Sequence, residues 1–299
     1  MHLCSWGADV KPPIFDYARP DTLDEVVDLL AQHGSEAKVL AGGQSLMPLL
    51  NFRMLRPGIL VDINYVSALA HLQADETAVR LGALTRHHTL ETAKVISDRF
   101  PVLAAATAHV AHLAIRNRGT IGGSLSHADP AAELPMMAIL LNAELHVRSR
   151  GRARTIPAQD FFVGPLTTAL RDDEVVTEVV VPNLPPLCGW SFEEFAQRMG
   201  DFAIVAVAVI LQVDRGRVAE ARLALMGVDE TPVRLREIEK EIVGEIFSSV
   251  LASHVAQRAS QAVNPTTDLK ASSEYRRHLV RALTRRAMVT AASRAQDRA

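Results

Sequence analysis

The stretch IRNRGTIGGSLSHADPAAELP, residues 115–135, decides how the chain reads, because it sets the glycine pair Gly122-Gly123 between Thr120 and Ser124. A second pair, Gly42-Gly43, stands in the same kind of setting in VLAGGQSL, residues 39–46. A pyrophosphate needs several backbone N–H donors converging on it with no Cβ in the way, and a glycine-rich turn ahead of a helix supplies them. Ser45, Thr120 and Ser124 add hydroxyls. Either pair alone is equally what a tight turn or a close packing contact uses. Together, in different parts of the chain, they point to a long ligand such as a dinucleotide. Neither pair fits the G-x-G-x-x-G fingerprint or the lysine-bearing phosphate loop, so a standard nicotinamide or nucleoside-triphosphate fold is disfavoured.

Working outward from the first pair, Asp21 and Thr22 precede Leu23, Val26, Val27, Leu29 and Leu30 at helical spacing, and His33-Gly34 ends the run. Ala37 to Ala41 reads as a short strand running into the glycines, and Leu46 to Leu50 as a short helix after them. Ile59 to Ile63 and Val79 to Ala83 are strand-like, and Leu90 to Ile96 starts a helical stretch that resumes after Pro101 towards His112. Beyond the second pair, Ala143 to Val147 and Glu174 to Val181 read as strands around a basic turn at 148–154. Pro182-Asn183-Leu184-Pro185-Pro186 is the best boundary, since proline removes backbone donors and stiffens a connector. Strands around 203–213 and 218–226 follow it, then helices from about Thr231 onward.

Composition narrows the class. Of 299 residues, 48% are hydrophobic and 22% charged, the mixture of a folded globular protein. Thirty-two Lys and Arg against 34 Asp and Glu leave a formal charge of -2, which excludes a general field for nucleic acid or an anionic membrane. The run Ala203 to Leu211 is about half the roughly 20 residues of a membrane span and reads as a buried strand. Residues 1–10 lack the basic start and apolar stretch of a secretory signal, so a cytoplasmic location is expected. Cys4 and Cys188 are too few for a disulfide framework, a four-thiolate zinc site or an iron–sulfur cluster, so any metal redox centre belongs on another chain. His109 and His112, with His127 and Asp129 near, have the spacing of a metal set but read as capping or packing residues, and no metal site is expected. The basic stripe Arg276, Arg277, Arg281, Arg285 and Arg286 reads as a solvated face or a subunit contact.

AGGQSLMPLLNFR at 41–53 and IRNRGTIGGSLSHADPAAELP at 115–135 resemble the paired motifs of the medium, FAD-binding subunit of the xanthine dehydrogenase and carbon monoxide dehydrogenase family. PPIFDYARPDTLDEVVDLL near the start, QRMGDFAIVAVAV at 197–209 and MGVDETPVR at 226–234 extend the resemblance over nearly the whole chain. The resemblance implies an α+β protein, a two-subdomain FAD-binding fold of the PCMH type plus a C-terminal antiparallel sheet with a helical bundle. Its units would be an N-terminal extension at 1–10, an α/β subdomain at 11–60, an α+β subdomain at 61–181 and a C-terminal domain at 187–299. It also implies that Val39, Leu40, Ala41, Gly42, Gly43, Gln44, Ser45 and Leu46, with Thr120, Ile121, Gly122, Gly123 and Ser124, hold the FAD pyrophosphate, and that Glu133 is an acidic FAD contact. Ser124 departs from the family's usual asparagine and lacks its two amide N–H groups. Arg198, Asp201 and Phe202, and more remotely Arg234 and Arg236, are further candidates near the flavin ring.

The family relays electrons from substrate at a molybdenum centre on a large subunit, through iron–sulfur clusters on a small subunit, to FAD. An external acceptor, NAD, a quinone or oxygen, would receive them. The reading of another class is a self-contained FAD-dependent oxidase or dehydrogenase with its own substrate pocket.

Overall fold

The structure, a computed structural model, describes residues 11–297; the extension expected at 1–10 lies outside them. Three strands, β1 (Asp16–Ala18), β2 (Ala37–Leu40) and β3 (Ile59–Asp62), form a parallel sheet with β3 in the middle. Helix α1 (Leu23–His33) begins with a reciprocal cap: the Thr22 hydroxyl accepts from the Glu25 N–H while the Glu25 carboxylate accepts from the Thr22 N–H. It buries Val26, Val27 and Leu30 in a small core with Val61, Ile63 and Leu69. α2 (Leu46–Asn51) follows the first glycine pair, between β2 and β3.

The middle of the chain opens with β4 (Leu72–Ala74) and β5 (Ala78–Gly82). A run of short helices follows: α3 (His87–Thr92), α4 (Lys94–Arg99), α5 (Pro101–His109), α6 (Leu113–Arg116), α7 (Ile121–His127) and α8 (Glu133–Leu140). β6 (Glu144–Ser149) and β7 (Arg152–Pro157) form a hairpin; α9 (Ala158–Phe161), β8 (Phe162–Gly164) and β9 (Thr167–Thr168) lead to β10 (Val175–Pro182). The five long strands order as β4-β5-β10-β6-β7, antiparallel throughout. The basic turn expected at 148–154 is a correction: most of it lies in β6 and β7, and β7 is an edge strand with only Ile156 buried. A strand wet on almost every side chain shows no alternating apolar signal.

The last third contains β11 (Gly189–Phe195), β12 (Val205–Asp214), β13 (Arg217–Met226) and β14 (Val233–Arg234), an antiparallel sheet in sequence order. α10 (Arg236–Ile242), α11 (Ser249–Gln261) and the long α12 (Ser273–Gln296) follow. β12 explains its own unbroken apolar sequence. Val205, Val207, Val209 and Leu211 face a core built with α11 and α12, whereas Ala206, Ala208 and Ile210 face the core of the middle segment, with Phe100, Met136 and Leu140. A strand buried on both faces needs apolar residues at every position. β13 continues the division, Leu223 and Leu225 on one side, Ala224 and Met226 on the other. Among the described residues, no helix is long and apolar enough to cross a membrane.

Candidate functional site

β2 ends at Leu40 and releases the chain into Ala41-Gly42-Gly43-Gln44-Ser45 before α2 starts, so the first glycine turn sits at the end of a parallel strand, where open α/β sheets place their ligands. Gly43 has φ +74°, left-handed backbone that a side chain with a Cβ resists, and a Cβ there would also crowd Leu40 and Met47. Gly42 is needed for a different reason. A Cβ on it would lie 2.5 Å from the Arg118 carbonyl oxygen and 2.8 Å from the Gly119 Cα, so the two glycine turns pack backbone against backbone.

The second turn starts α7. Thr120 is its N-cap, its hydroxyl accepting from the Gly123 N–H at 3.1 Å. The Ile121 and Gly122 N–H groups donate to the Thr85 and Ala83 carbonyls at 3.0 and 2.9 Å. The first three N–H groups of α7 are therefore engaged inside the protein. In the first turn the situation is reversed: the N–H groups of Gly42, Gly43, Gln44 and Ser45 make no hydrogen bond to the described residues. Free donors thus lie mainly on the 42–45 turn, whereas α7 contributes a stretch of wall at Gly122 and Gly123 without Cβ atoms.

Both turns border one cavity of about 830 Å³, within the range of cofactor sites. Val39, Ala41, Gly42, Gly43, Gln44, Ser45, Leu46, Thr120, Gly122, Gly123, Ser124 and Glu133 line it. Two of the residues expected in the cradle lie elsewhere. The Leu40 side chain packs beneath Gly43, and Ile121 is buried in the core of the middle segment, as residues flanking a glycine pair often are. Gly200, Asp201 and Phe202 reach the wall from the C-terminal segment, but Arg198 does not. Ser124 lines the cavity in the first turns of α7.

Arg234 and Arg236 are not in the wall. Arg234 is ion-paired with Glu239 and donates to the Ile139 and Leu140 carbonyls at the end of α8, and Arg236 donates to Gln159. The guanidinium of Arg234 satisfies orphan carbonyls of a helix C-terminus, a demand that the sequence alone does not reveal. His109 lies 3.7 Å from the buried Glu194, and His112 packs against Gly200.

Glu133, at the start of α8, is a buried acid of the wall, as is Glu174, which is paired with Arg154. Burial, reinforced by the Glu194 carboxylate, pushes the Glu133 carboxyl up to about 8, only partly opposed by its own backbone N–H and by His109. His87 is a wall residue that carries no sequence signal. Burial lowers its imidazole to about 4, so the ring is neutral; its Nε2 donates to the Thr120 carbonyl at 3.0 Å, and Nδ1 has no hydrogen-bond partner among the described residues.

Two family models cover the chain: the FAD binding domain in molybdopterin dehydrogenase matches residues 13–184, and the CO dehydrogenase flavoprotein C-terminal domain matches residues 190–291. The alpha subunit of the 6-hydroxypseudooxynicotine dehydrogenase complex of Paenarthrobacter nicotinovorans is 42% identical over 96% of this chain and 97% of its own. The structure superimposes on carbon monoxide dehydrogenase of Hydrogenophaga pseudoflava with a TM-score of 0.92, at 34% identity, over 95% of this chain and 99% of that one. Quinoline 2-oxidoreductase of Pseudomonas putida 86 gives a TM-score of 0.91 at 37% identity, again over 95% and 99%.

Proposed function

This chain belongs to the family of FAD-binding subunits of the molybdenum hydroxylases, and from that premise we propose that it is the electron-relay subunit of a heteromeric dehydrogenase. Its cofactor is FAD. The observation that carries the proposal is the cavity between the two glycine turns, with four unengaged backbone N–H groups on one side and a floor at Gly122 and Gly123 on the other. That donor set fits the pyrophosphate of a dinucleotide: several neutral donors, no Cβ in the approach and no lysine needed.

In this reading Gly42 to Ser45 bind the phosphates, Gly122 and Gly123 let them approach, and the Thr120 and Ser124 hydroxyls complete the cradle. Val39 and Leu46 line it with apolar surface, Gln44 is braced by its own amide on the Gly42 carbonyl, and Leu40 and Ile121 support it from behind. Glu133, protonated near neutrality, offers a hydrogen-bond donor within the wall. Phe202 and Asp201 border the cavity from the C-terminal segment. FAD supplies the redox chemistry when bound, accepting electrons from an iron–sulfur cluster of a docked small subunit and passing them to an external acceptor, NAD, a quinone or oxygen. Substrate oxidation is assigned to a molybdopterin-bearing large subunit, since this chain's two cysteines cannot house a cluster. The division at 11–60, 61–181 and 187–299 and a cytoplasmic site of action belong to the same proposal.

Stopped-flow absorbance tests it by mixing substrate with this chain alone and with the reassembled complex. Flavin bleaching is expected only in the complex. Bleaching in the chain alone would favour a self-contained flavoenzyme.

A further inference from the structure

Four carbonyl oxygens in or beside the two glycine turns, dipoles whose negative ends repel an anion, are each held by a donor from Asn64, Arg86 or His87. Asn64 Nδ2 donates to the Ala41 carbonyl at 2.6 Å, Arg86 Nη1 to the Arg118 carbonyl, the His87 backbone N–H to the Gly119 carbonyl at 2.9 Å and His87 Nε2 to the Thr120 carbonyl at 3.0 Å. The donors are tied to one another. Arg86 Nη2 donates to Asn64 Oδ1 at 2.8 Å, and Asn64 is fixed by Asp62, whose Oδ1 accepts from the Asn64 amide at 2.6 Å and from its backbone N–H at 3.0 Å. Tyr17 closes the far end by donating to Asp62 Oδ2 at 2.7 Å. Burial opposes ionisation of Asp62, but the hydrogen bonds from Asn64 and Tyr17 outweigh it and hold the carboxyl below the usual carboxylate range.

We infer that Asn64, Arg86 and His87 are positioning residues for the cofactor, a clamp that turns the carbonyls of both glycine turns away from the phosphates and locks the two turns into one register. The inference rests on the FAD cradle proposed above. Asn64 and Arg86 are not among the residues lining this cavity; they act through Ala41 and Arg118, and the packing of Gly42 on the Arg118 carbonyl transmits any shift of one turn to the other. Removing a donor frees a carbonyl dipole to swing towards an anion, and the unfavourable interaction appears only when the anion is present.

The test uses the full chain, stripped of flavin and titrated with FAD by fluorescence quenching, together with the 31P spectrum of the bound pyrophosphate and the melting temperature of the flavin-free protein. Arg86→Ala removes two links, and Asn64→Ala deletes the amide donors to Ala41 and Asp62 together with the acceptor for Arg86. Each variant is expected to weaken FAD binding roughly ten- to hundredfold, the range for losing one buried, charge-assisted or amide hydrogen bond. The 31P resonances are expected to shift, and Arg86→Lys to recover part of the affinity through its remaining donor. A double-mutant cycle of Arg86→Ala with Asn64→Ala is expected to be non-additive. Variants that bind FAD with wild-type affinity and unshifted 31P signals, whether or not their melting temperature falls, overturn the clamp. Wild-type protein that takes up no FAD overturns the cofactor site itself.

Discussion

Replacing Glu133 by glutamine keeps the side chain's volume and removes its titration. In the folded chain the carboxyl holds its proton up to about pH 8, whereas the reference carboxyl releases it near 4.5. Between those values the folded state binds more protons than the unfolded one, so stability falls as pH rises. The loss is absent below 4.5 and complete above about 8. The difference of 3.5 units, from 8 minus 4.5, corresponds to roughly 5 kcal/mol at about 1.4 kcal/mol per unit. From pH 5.5 to 7.5 the wild type should lose roughly 3 kcal/mol that the Glu133→Gln variant keeps. At about 2–4 °C per kcal/mol for a chain of this size, its melting temperature should drop roughly 6–12 °C further than the variant's. Thermal unfolding of the flavin-free chain followed by circular dichroism across that pH range reads this directly. Parallel curves for the two proteins would refute the argument, since they would mean that Glu133 is ionised and solvated at neutral pH.

Gly43→Val, which forces a branched residue into left-handed backbone, and Gly123→Val, which displaces the Thr120 cap from 2.8 Å, are expected to abolish FAD retention through gel filtration; full flavin content in either would remove that turn from the cradle. Gly42→Ala should have the same effect by prising the turns apart, with a melting temperature lowered by several degrees. FAD should bind in about one equivalent and be released by heat or acid; flavin that stays with precipitated protein would show a covalent link. Arg234→Ala removes the ion-pair partner of the buried Glu239 carboxylate and the guanidinium donors to two α8 carbonyls, and chemical denaturation should register a loss of about 3–5 kcal/mol.

Capping and alternation made much of the fold legible. Asp21 and Thr22 ahead of an apolar periodic run announced α1, and the unbroken apolar run before Leu211 announced a buried strand, which the structure places between two cores. β7 was hidden because five of its six side chains are exposed at a sheet edge, and α7 and α8 because glycines and a proline obscure helical spacing. In the site, the glycine pairs were visible because backbone approach demands glycine. The clamp was not: Asn64, Arg86 and His87 donate to carbonyls 23 to 33 positions away in sequence, and a residue that satisfies a distant carbonyl carries no local pattern.

The two-faced sheet limits how such chains can be recombined. α8 and the Ala206, Ala208, Ala224 face of the sheet form one core across the Pro182 to Pro186 connector. A chimera spliced at that connector would inherit α8 from one parent and the alanine face from another. Mismatched volumes there leave voids or overlaps at the back of the helix whose first residue is Glu133, inside the cavity wall. Crossovers placed at the obvious linker should therefore cost flavin affinity, and swaps that move α8 together with β12 and β13 should preserve it.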